Sequence, residues 1–207
     1  MNRIHPKEPR LLAIAPSTKG FGFAVLEGKE TLVDWGVKTV KKGNKNKESL
    51  VKVEELIARY QPGVLVLQDM TTRNSRRAPR IKALNQQIIA TASRRKVKVA
   101  LFSREQVGKT FFVGGEGTKH ALAEILAKQF PEQLGFRLPP KRRLWMSEDS
   151  RMDIFDAVAL VLVHRLGELW PRKIAPASPG EQQTADDGQA QDTRFRNGLV
   201  GKLDVVE

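Results

Sequence analysis

Three aspartates stand at helical spacing in the last strongly patterned part of the sequence. Asp149, Asp153 and Asp156 are separated by four and three residues, so they share one face of a helix if that helix reaches back to Asp149. The run AVALVLV after Asp156 predicts a helix that is buried on nearly all sides. Carboxylates clustered on such a helix can bind magnesium. Helix capping is the alternative role, above all for Asp149.

Gln68 and Asp69 form a second polar group, at the end of the apolar run VLVL (64–67). That run predicts a central strand covered on both faces, and its carboxyl end is where α/β sheets usually bind ligands. Side chains alternate along a strand, so only one of the two residues faces a given side of the sheet. Asp69 would add a carboxylate to a metal site, whereas Gln68 would offer a weak, neutral oxygen ligand. The sequence leaves both orientations open.

Basic residues cluster in three patches near these polar groups. One patch follows the 64–67 strand, the second lies in the loop before the first predicted helix, and the third precedes the last helix. We expect them to contact nucleic-acid phosphates, with ordinary solvated surface as the alternative. The patches comprise Arg73, Arg76, Arg77, Arg80 and Lys82, then Lys41, Lys42, Lys45 and Lys47, and finally Lys141, Arg142 and Arg143.

The composition is that of a basic chain without cysteine. Its 207 residues carry a formal net charge of +13, which is the sum of +14 before residue 172 and −1 from residue 172 onward. A body this basic favours a polyanionic partner, most often DNA or RNA, over a merely soluble basic protein. The lack of cysteine excludes disulfides and thiol chemistry. No long apolar run and no apolar signal segment occurs, so we expect a soluble, cytoplasmic protein that does not contact membranes.

Strand-like and helix-like segments follow each other in the order β-β-β-α-β-α-β-α. Strands are predicted at 11–15, 21–27, 31–40, 64–67 and 97–102, and the first three form a meander. The order predicts an α/β fold with a mixed five-stranded sheet flanked by helices. We expect an N-terminal extension at 1–10, one domain at 11–170 and a disordered polar tail at 171–207, where the composition shifts to Ala, Pro, Gly, Gln and Asp.

The GKT sequence at 108–110 and the three tryptophans are both interpreted as structural rather than functional features. The GKT sequence at 108–110 lacks the leading glycine of a phosphate-binding P-loop, because Ser103 stands at that position. Trp35, Trp145 and Trp170 are expected to pack in the core or at its edge. The low aromatic content, 6%, also argues against a single-strand binder built on base stacking.

Four segments, in order, resemble motifs of the RuvC-type Holliday-junction resolvases. LAIAPSTKGFGFAV (12–25) resembles their first strand, turn and second strand, and VLVLQ (64–68) looks like their second motif. SREQV (103–107), with the glycines ahead of Lys119, is similar to their pre-helix segment and its lysine. DIFDAVAL (153–160) looks like their closing helix. The resemblance runs from residue 11 to about residue 164.

The resemblance implies a ribonuclease H-like fold and magnesium-dependent (or manganese-dependent) cleavage of branched DNA, by a protein that can form a homodimer. Two acids of the family pattern are missing, however, since Ala15 stands in place of an aspartate and Gln68 in place of a glutamate. Fewer carboxylates bind magnesium more weakly. We therefore expect weak or no cleavage. The alternative is a non-catalytic DNA- or RNA-binding protein, or a subunit of a nucleoprotein complex, that uses the same basic cleft.

The same resemblance distributes roles over the remaining candidates. It implies that Asp153 and Asp156 hold magnesium and that Lys119 contacts the scissile phosphate, with ordinary surface as the alternative for Lys119. Asp69 and Asp149 are the candidates that could substitute for the two missing acids.

Overall fold

Strand β1 (Leu11–Ser17) lies at the centre of a mixed five-stranded sheet. β2 (Gly20–Glu27) and β3 (Thr31–Thr39) follow it as an antiparallel meander. β4 (Val64–Gln68) and β5 (Lys98–Phe102) run parallel to β1 on its other side. The strand order is β3-β2-β1-β4-β5, so β1, β4 and β5 all end at the same edge. The structure, a computed structural model, describes residues 9–28, 30–41, 43–71, 77–143 and 145–169.

Six helices connect and cover these strands within the described ranges. They are α1 (Lys45–Tyr60), α2 (Pro79–Arg94), α3 (Arg104–Phe111), α4 (Lys119–Gln129), the single turn α5 (Pro131–Leu134) and α6 (Met152–Leu169). A 3-10 turn at Gly135–Arg137 follows α5. In this part of the chain, no helix combines the length and the apolar character that a membrane span requires.

Side-chain alternation along β1 explains why helices pack on both faces of the sheet. Leu12 and Ile14 belong to the core formed with α1 and α2, whereas Leu11, Ala13 and Ala15 belong to the core formed with α4 and α6. All five side chains are buried. A strand with apolar residues at every position must be covered twice, and the helices on either side provide that cover.

The predicted order of strands and helices and the mixed five-stranded sheet are confirmed. β1 is longer than the predicted 11–15, because Ser17 still pairs with Gly20 across a tight turn. The tail at 171–207 and most of the N-terminal extension lie outside the described residues. The domain boundaries therefore stay predictions.

Helix α6 lies unusually close to β1 and β2, because these strands present very small residues to it. Ala13, Ala15 and Ala24 are buried in the same core cluster as the α6 side chains. Gly22, which pairs with Ala15, comes closest: a Cβ placed on it would lie 1.9 Å from the Asp153 carbonyl oxygen. The absence of a side chain at Gly22 thus allows the first turn of α6 to rest on the sheet.

Substituting Gly22 tests this close approach. Gly22→Ala should lower the free energy of unfolding by about 1–3 kcal/mol or more, because the new methyl group overlaps backbone that cannot move away independently. Urea unfolding of the purified protein measures the change. Gly167→Ala in α6 is the matched control, since a Cβ at Gly167 meets nothing within 4 Å. It should leave stability unchanged or raise it by up to about 1 kcal/mol through helix propensity. Equal effects at both glycines would contradict the argument.

Candidate functional site

A cavity of about 810 Å³ opens where β1 and β4 end. Ala15 of β1, Gln68 of β4 and Asp156 of α6 contribute to its lining. Further lining residues come from the start of α3, from the loop between α3 and α4, and from the segment before α6. The sheet edge at which parallel strands end is the usual place for a ligand in α/β proteins.

The loop between α3 and α4 brings Lys119 to this cavity. Gly114 and Gly115 adopt φ angles of +83° and +78°, which glycine tolerates without steric cost. A Cβ on Gly108 would lie 2.4 Å from the Gly115 carbonyl oxygen, so the loop crosses α3 at a position that has no side chain. Thr118 then caps α4 by accepting a backbone N–H, and Lys119 is the first residue of that helix. The glycines at 108 and 114–117 thus position a lysine.

The Lys119 ammonium lies between two carboxylates. Its Nζ is 2.9 Å from Asp156 Oδ2 and 2.8 Å from Glu148 Oε1. The Lys119 and Asp156 side chains are only 23% and 20% exposed. Burial by itself would lower the pKa of Lys119, but the attraction of Asp156 and the hydrogen bond to Glu148 outweigh it, so the pKa is raised. Lys119 therefore remains charged at neutral pH and offsets part of the negative charge of these acids.

Glu148 is a member of this site that sequence reasoning missed. It lies in the segment before α6, lines the cavity and accepts a hydrogen bond from Lys119. Helical spacing favours its neighbour Asp149 instead, because only Asp149 fits the period of Asp153 and Asp156. The available signal was indirect: a lysine expected beside acids needs carboxylate partners, and Glu148 is one of the few acids near the closing helix.

Asp149 does not share the helix face that its spacing suggests, because α6 begins at Met152. Its carboxylate accepts the backbone N–H of Arg151 at 2.9 Å and pairs with the Arg151 guanidinium at 2.7 Å. The side-chain hydrogen bond from Arg151 lowers the pKa of Asp149. Asp149 closes the turn ahead of α6 and lines a small cavity with Glu148 and Asp153, and its role as a metal ligand stays a prediction.

Asp153 is a buried acid beside the main cavity, with 8% of its surface exposed. It lines a smaller cavity of about 80 Å³, and both Arg77 and Glu148 line the two cavities together. Burial raises the pKa of Asp153 to about 6, and the charge of Asp156 adds to the shift. Asp153 is therefore partly protonated at mildly acidic pH and contributes less than a full negative charge there.

Gln68, rather than Asp69, faces the main cavity. Its side-chain oxygen accepts a hydrogen bond from Arg77 at 3.2 Å, and its backbone carbonyl accepts one from the buried Asn85 side chain at 3.1 Å. The Asp69 carboxylate is not part of the cavity lining. It accepts hydrogen bonds from the backbone and hydroxyl of Thr71 at 2.8 and 2.7 Å. The strand thus presents an amide to the cavity, and the expected substitution of Asp69 for a missing acid is not supported.

Magnesium does not fit this arrangement of residues. Ala15 and Gln68 place a methyl group and an amide in the cavity wall where the sequence resemblance implies acids. Asp156 and Glu148 already hold the Lys119 ammonium. Within the described ranges, no three His, Asp or Glu side chains are grouped so that they could hold a metal ion. The cavity contains a cation of its own, supplied by the chain.

Arg80, expected to contact phosphate, is used inside the protein. Its guanidinium donates to Asn46 Oδ1 at 2.9 Å and to the backbone carbonyls of Ser17 and Thr18, both at 3.1 Å. It therefore ties α1 and α2 to the turn between β1 and β2. Arg80 therefore has a structural role, and its expected contact with phosphate stays a prediction.

The other basic residues divide by exposure. Arg77 is half-buried at the cavity, where it donates to Gln68. Arg73, Arg76 and Lys42 lie outside the described residues. The exposed members are Lys41, Lys47, Lys141, Arg142 and Arg143, and the half-buried ones are Lys45 and Lys82.

Trp145 contradicts the packing expected of the tryptophans. It is 78% exposed, and the Arg143 guanidinium lies 5.7 Å from its ring centroid. Trp35 is partly buried against the α6 side of the core, as expected, and Trp170 lies outside the described residues. Amphipathic spacing cannot find an exposed tryptophan in a loop, because loops have no periodicity to interpret. The GKT sequence at 108–110 lies inside α3, which agrees with the rejection of a P-loop.

The pKa of Asp153 makes stability depend on pH. Its ordinary value is 3.8 and its value in the folded protein is about 6. Between these values the folded chain keeps a proton that the unfolded chain has released, so the free energy of unfolding falls as pH rises from about 4 to about 7. Asp153→Asn should remove this contribution. The variant should be more stable than the unsubstituted protein at pH 8, by at most roughly 3 kcal/mol, and similar to it near pH 4.

Urea unfolding at pH 4, 6 and 8 measures the effect. Asp69→Asn is the matched control, because it removes one aspartate charge that lies outside the cavity. A stability difference for Asp153→Asn that does not change with pH would contradict the assignment.

Comparison with known proteins gives structural matches only. No protein-family model matches the chain, and no curated protein sequence matches it. Among solved structures, RuvC of Thermus thermophilus superposes with a TM-score of 0.55 at 18% identity, covering 77% of this chain and 94% of that one. The same protein in complex with a Holliday junction substrate gives a TM-score of 0.55 at 21% identity, covering 77% and 97%.

A third structure extends this likeness to a eukaryotic protein. The yeast mitochondrial Holliday junction resolvase superposes with a TM-score of 0.52 at 14% identity, covering 79% of this chain and 82% of that one. At such identities the likeness concerns the fold. It agrees with the three-stranded meander followed by two parallel strands and with the closing helix over the sheet. The chain therefore has the ribonuclease H-like fold of RuvC and related Holliday junction resolvases.

Proposed function

We propose that this protein binds branched or otherwise structured DNA at the cavity around Lys119 and cleaves it weakly or not at all. The observation that carries the proposal is the position of the Lys119 ammonium, between Asp156 and Glu148. Hydrolysis by carboxylate-bound metal ions requires acids that are available to those ions. Here the Lys119 ammonium already pairs with both acids.

The charge distribution supports a nucleic-acid ligand. The chain carries a net charge of +13, and the exposed run Lys141, Arg142 and Arg143 directly precedes the segment that contains Glu148. Such basic surface close to a cavity attracts a phosphate backbone. RuvC of Thermus thermophilus, which shares the fold, has been solved with a Holliday junction substrate. Branched DNA is therefore a better first ligand to test than RNA.

Two side chains would give the cavity affinity for phosphate without a divalent ion. A lysine ammonium has three N–H donors, and hydrogen bonds to Asp156 and Glu148 account for two of them in Lys119. We assign the third donor to a phosphate oxygen. Arg77 donates one N–H to Gln68 and presents a planar guanidinium at the boundary of the two cavities, which suits a second phosphate.

Metal-dependent cleavage remains the second candidate function, because Asp153 and Asp156 occupy the first turns of α6 beside the cavity.

A test of both candidates restores the missing acids. The double variant Ala15→Asp, Gln68→Glu should cut a labelled four-way junction in magnesium or manganese, whereas the unsubstituted protein should bind the junction without cutting it. Product formation is measured by gel electrophoresis, and circular dichroism checks that the variant is folded.

Binding by the unsubstituted protein should be indifferent to the metal. Its dissociation constant for the junction should agree within about twofold between EDTA and magnesium at constant ionic strength, because its own lysine already pairs with the acids. Cleavage by the unsubstituted protein would favour the nuclease. Failure to bind any branched DNA would overturn the proposal.

Lys119→Met tests the built-in cation directly. Without the ammonium, Asp156 and Glu148 repel phosphate, so junction binding in EDTA should weaken by about tenfold, which corresponds to roughly 1.4 kcal/mol. Magnesium should recover part of the loss, since it can neutralise the same acids. Fluorescence anisotropy with a labelled junction measures both effects.

Lys128→Met is the matched control, since Lys128 is exposed in the last turn of the same helix. It removes the same charge and the same side chain, and its effect should be below about twofold and insensitive to magnesium, because a single exposed charge contributes little. Equal losses for the two variants would show that Lys119 acts only through the net charge.

A further inference from the structure

We infer that Trp145 and the arginines beside it form a stacking site for unpaired bases of the bound DNA. The inference rests on the proposed function and adds to it the kind of DNA strand that the protein prefers. Trp145 is 78% exposed, and the neighbouring Met146 is 43% exposed. An indole ring in water presents a large apolar face that a nucleic-acid base can cover.

The position of Trp145 relates it to the cavity. Glu148, whose carboxylate binds Lys119, follows it three positions later in the chain. Three residues span at most about 11 Å, so the Cα atoms of Trp145 and Glu148 lie within that distance of each other. A strand whose phosphate lies near Lys119 therefore has its next nucleotides within reach of the indole ring.

The charge around Trp145 selects a nucleic acid over a protein partner. The Arg143 guanidinium lies 5.7 Å from the indole centroid, and Lys141 and Arg142 are exposed just before it in the chain. Arg142 also donates to the backbone carbonyl of Met146, which holds the turn that carries the tryptophan. A base stacked on the indole would thus have its phosphates beside three cations, a combination typical of sites for single-stranded nucleic acids.

A second exposed ring shows the same arrangement. Phe136 is 66% exposed, and the Arg137 guanidinium lies 5.0 Å from its centroid. It belongs to the 3-10 turn between α5 and the basic run. The segment between α5 and α6 thus carries two exposed aromatic rings, each with an arginine beside it. Each ring therefore offers stacking surface next to a cation that suits a phosphate.

The test compares DNA with and without unpaired bases. Trp145→Ala should weaken binding of a forked DNA with single-stranded arms by about tenfold, within the range that base stacking on an aromatic ring contributes. It should change binding of a blunt duplex of the same length by less than twofold. Trp145→Phe should retain most of the affinity, because it keeps an aromatic face. Val51→Ala is the control for loss of an exposed apolar side chain, since Val51 is 51% exposed on α1.

Fluorescence gives a second measurement that does not depend on affinity. Addition of an oligothymidylate should quench the tryptophan emission of the unsubstituted protein, and the quenching should be largely lost in Trp145→Phe. Unchanged binding of forked DNA by Trp145→Ala would overturn the inference. An equal loss for forked and blunt DNA would also overturn it, while leaving the proposed function intact. If the unsubstituted protein binds none of these DNAs, the proposed function fails, and the inference fails with it.

Discussion

The close packing of α6 on β1 and β2 is the constraint on which the site depends. Gly22 and the alanines around it leave so little side-chain volume that the first turn of α6 rests on the sheet backbone. This contact fixes Asp153 and Asp156 at the edge where β1 and β4 end. It also explains the burial of Asp153, because a carboxylate on that turn is covered by the strands beneath it. The geometry of the acids is thus a consequence of small residues in the strands.

Electrostatics then decides what the acids can do. A half-buried ion pair such as Lys119 with Asp156 contributes little net stability, since both groups lose hydration on folding. Removing one partner is nevertheless destabilising, because it leaves the other charge buried and unpaired. The charged groups of the site therefore depend on one another. Ala15 and Gln68 contribute no negative charge to the cavity wall. Lys119 pairs with two of the acids that line it, Asp156 and Glu148. To bind these two carboxylates, a divalent cation would have to displace the ammonium.

The periodicity of apolar residues predicted much of the fold, but it did not predict the details of the site. Alternation and helical spacing predicted the five strands and the main helices, because burial imposes those periods on the sequence. The side of the sheet on which the Gln68 side chain lies depends on the register of β4 against β1. The run VLVL does not determine that register, since all its residues are apolar. Glu148 meets Lys119 across 29 residues, and only the tertiary structure brings them together. Asp149 has the spacing of a helical residue, but its bond to Arg151 belongs to a turn.

The bonds of Arg80 have a consequence for how ions surround this protein. Both terminal nitrogens of its guanidinium donate to neutral oxygens, those of Asn46 and of the Ser17 and Thr18 carbonyls, so its charge has no carboxylate partner in these contacts. If the protein binds DNA as proposed, this charge adds to the long-range field that attracts DNA to the surface. Counterion release, in contrast, requires direct contact between a cation and a phosphate. Binding would then release fewer ions than the net charge suggests, and the charge would accelerate the encounter more than it stabilises the final complex.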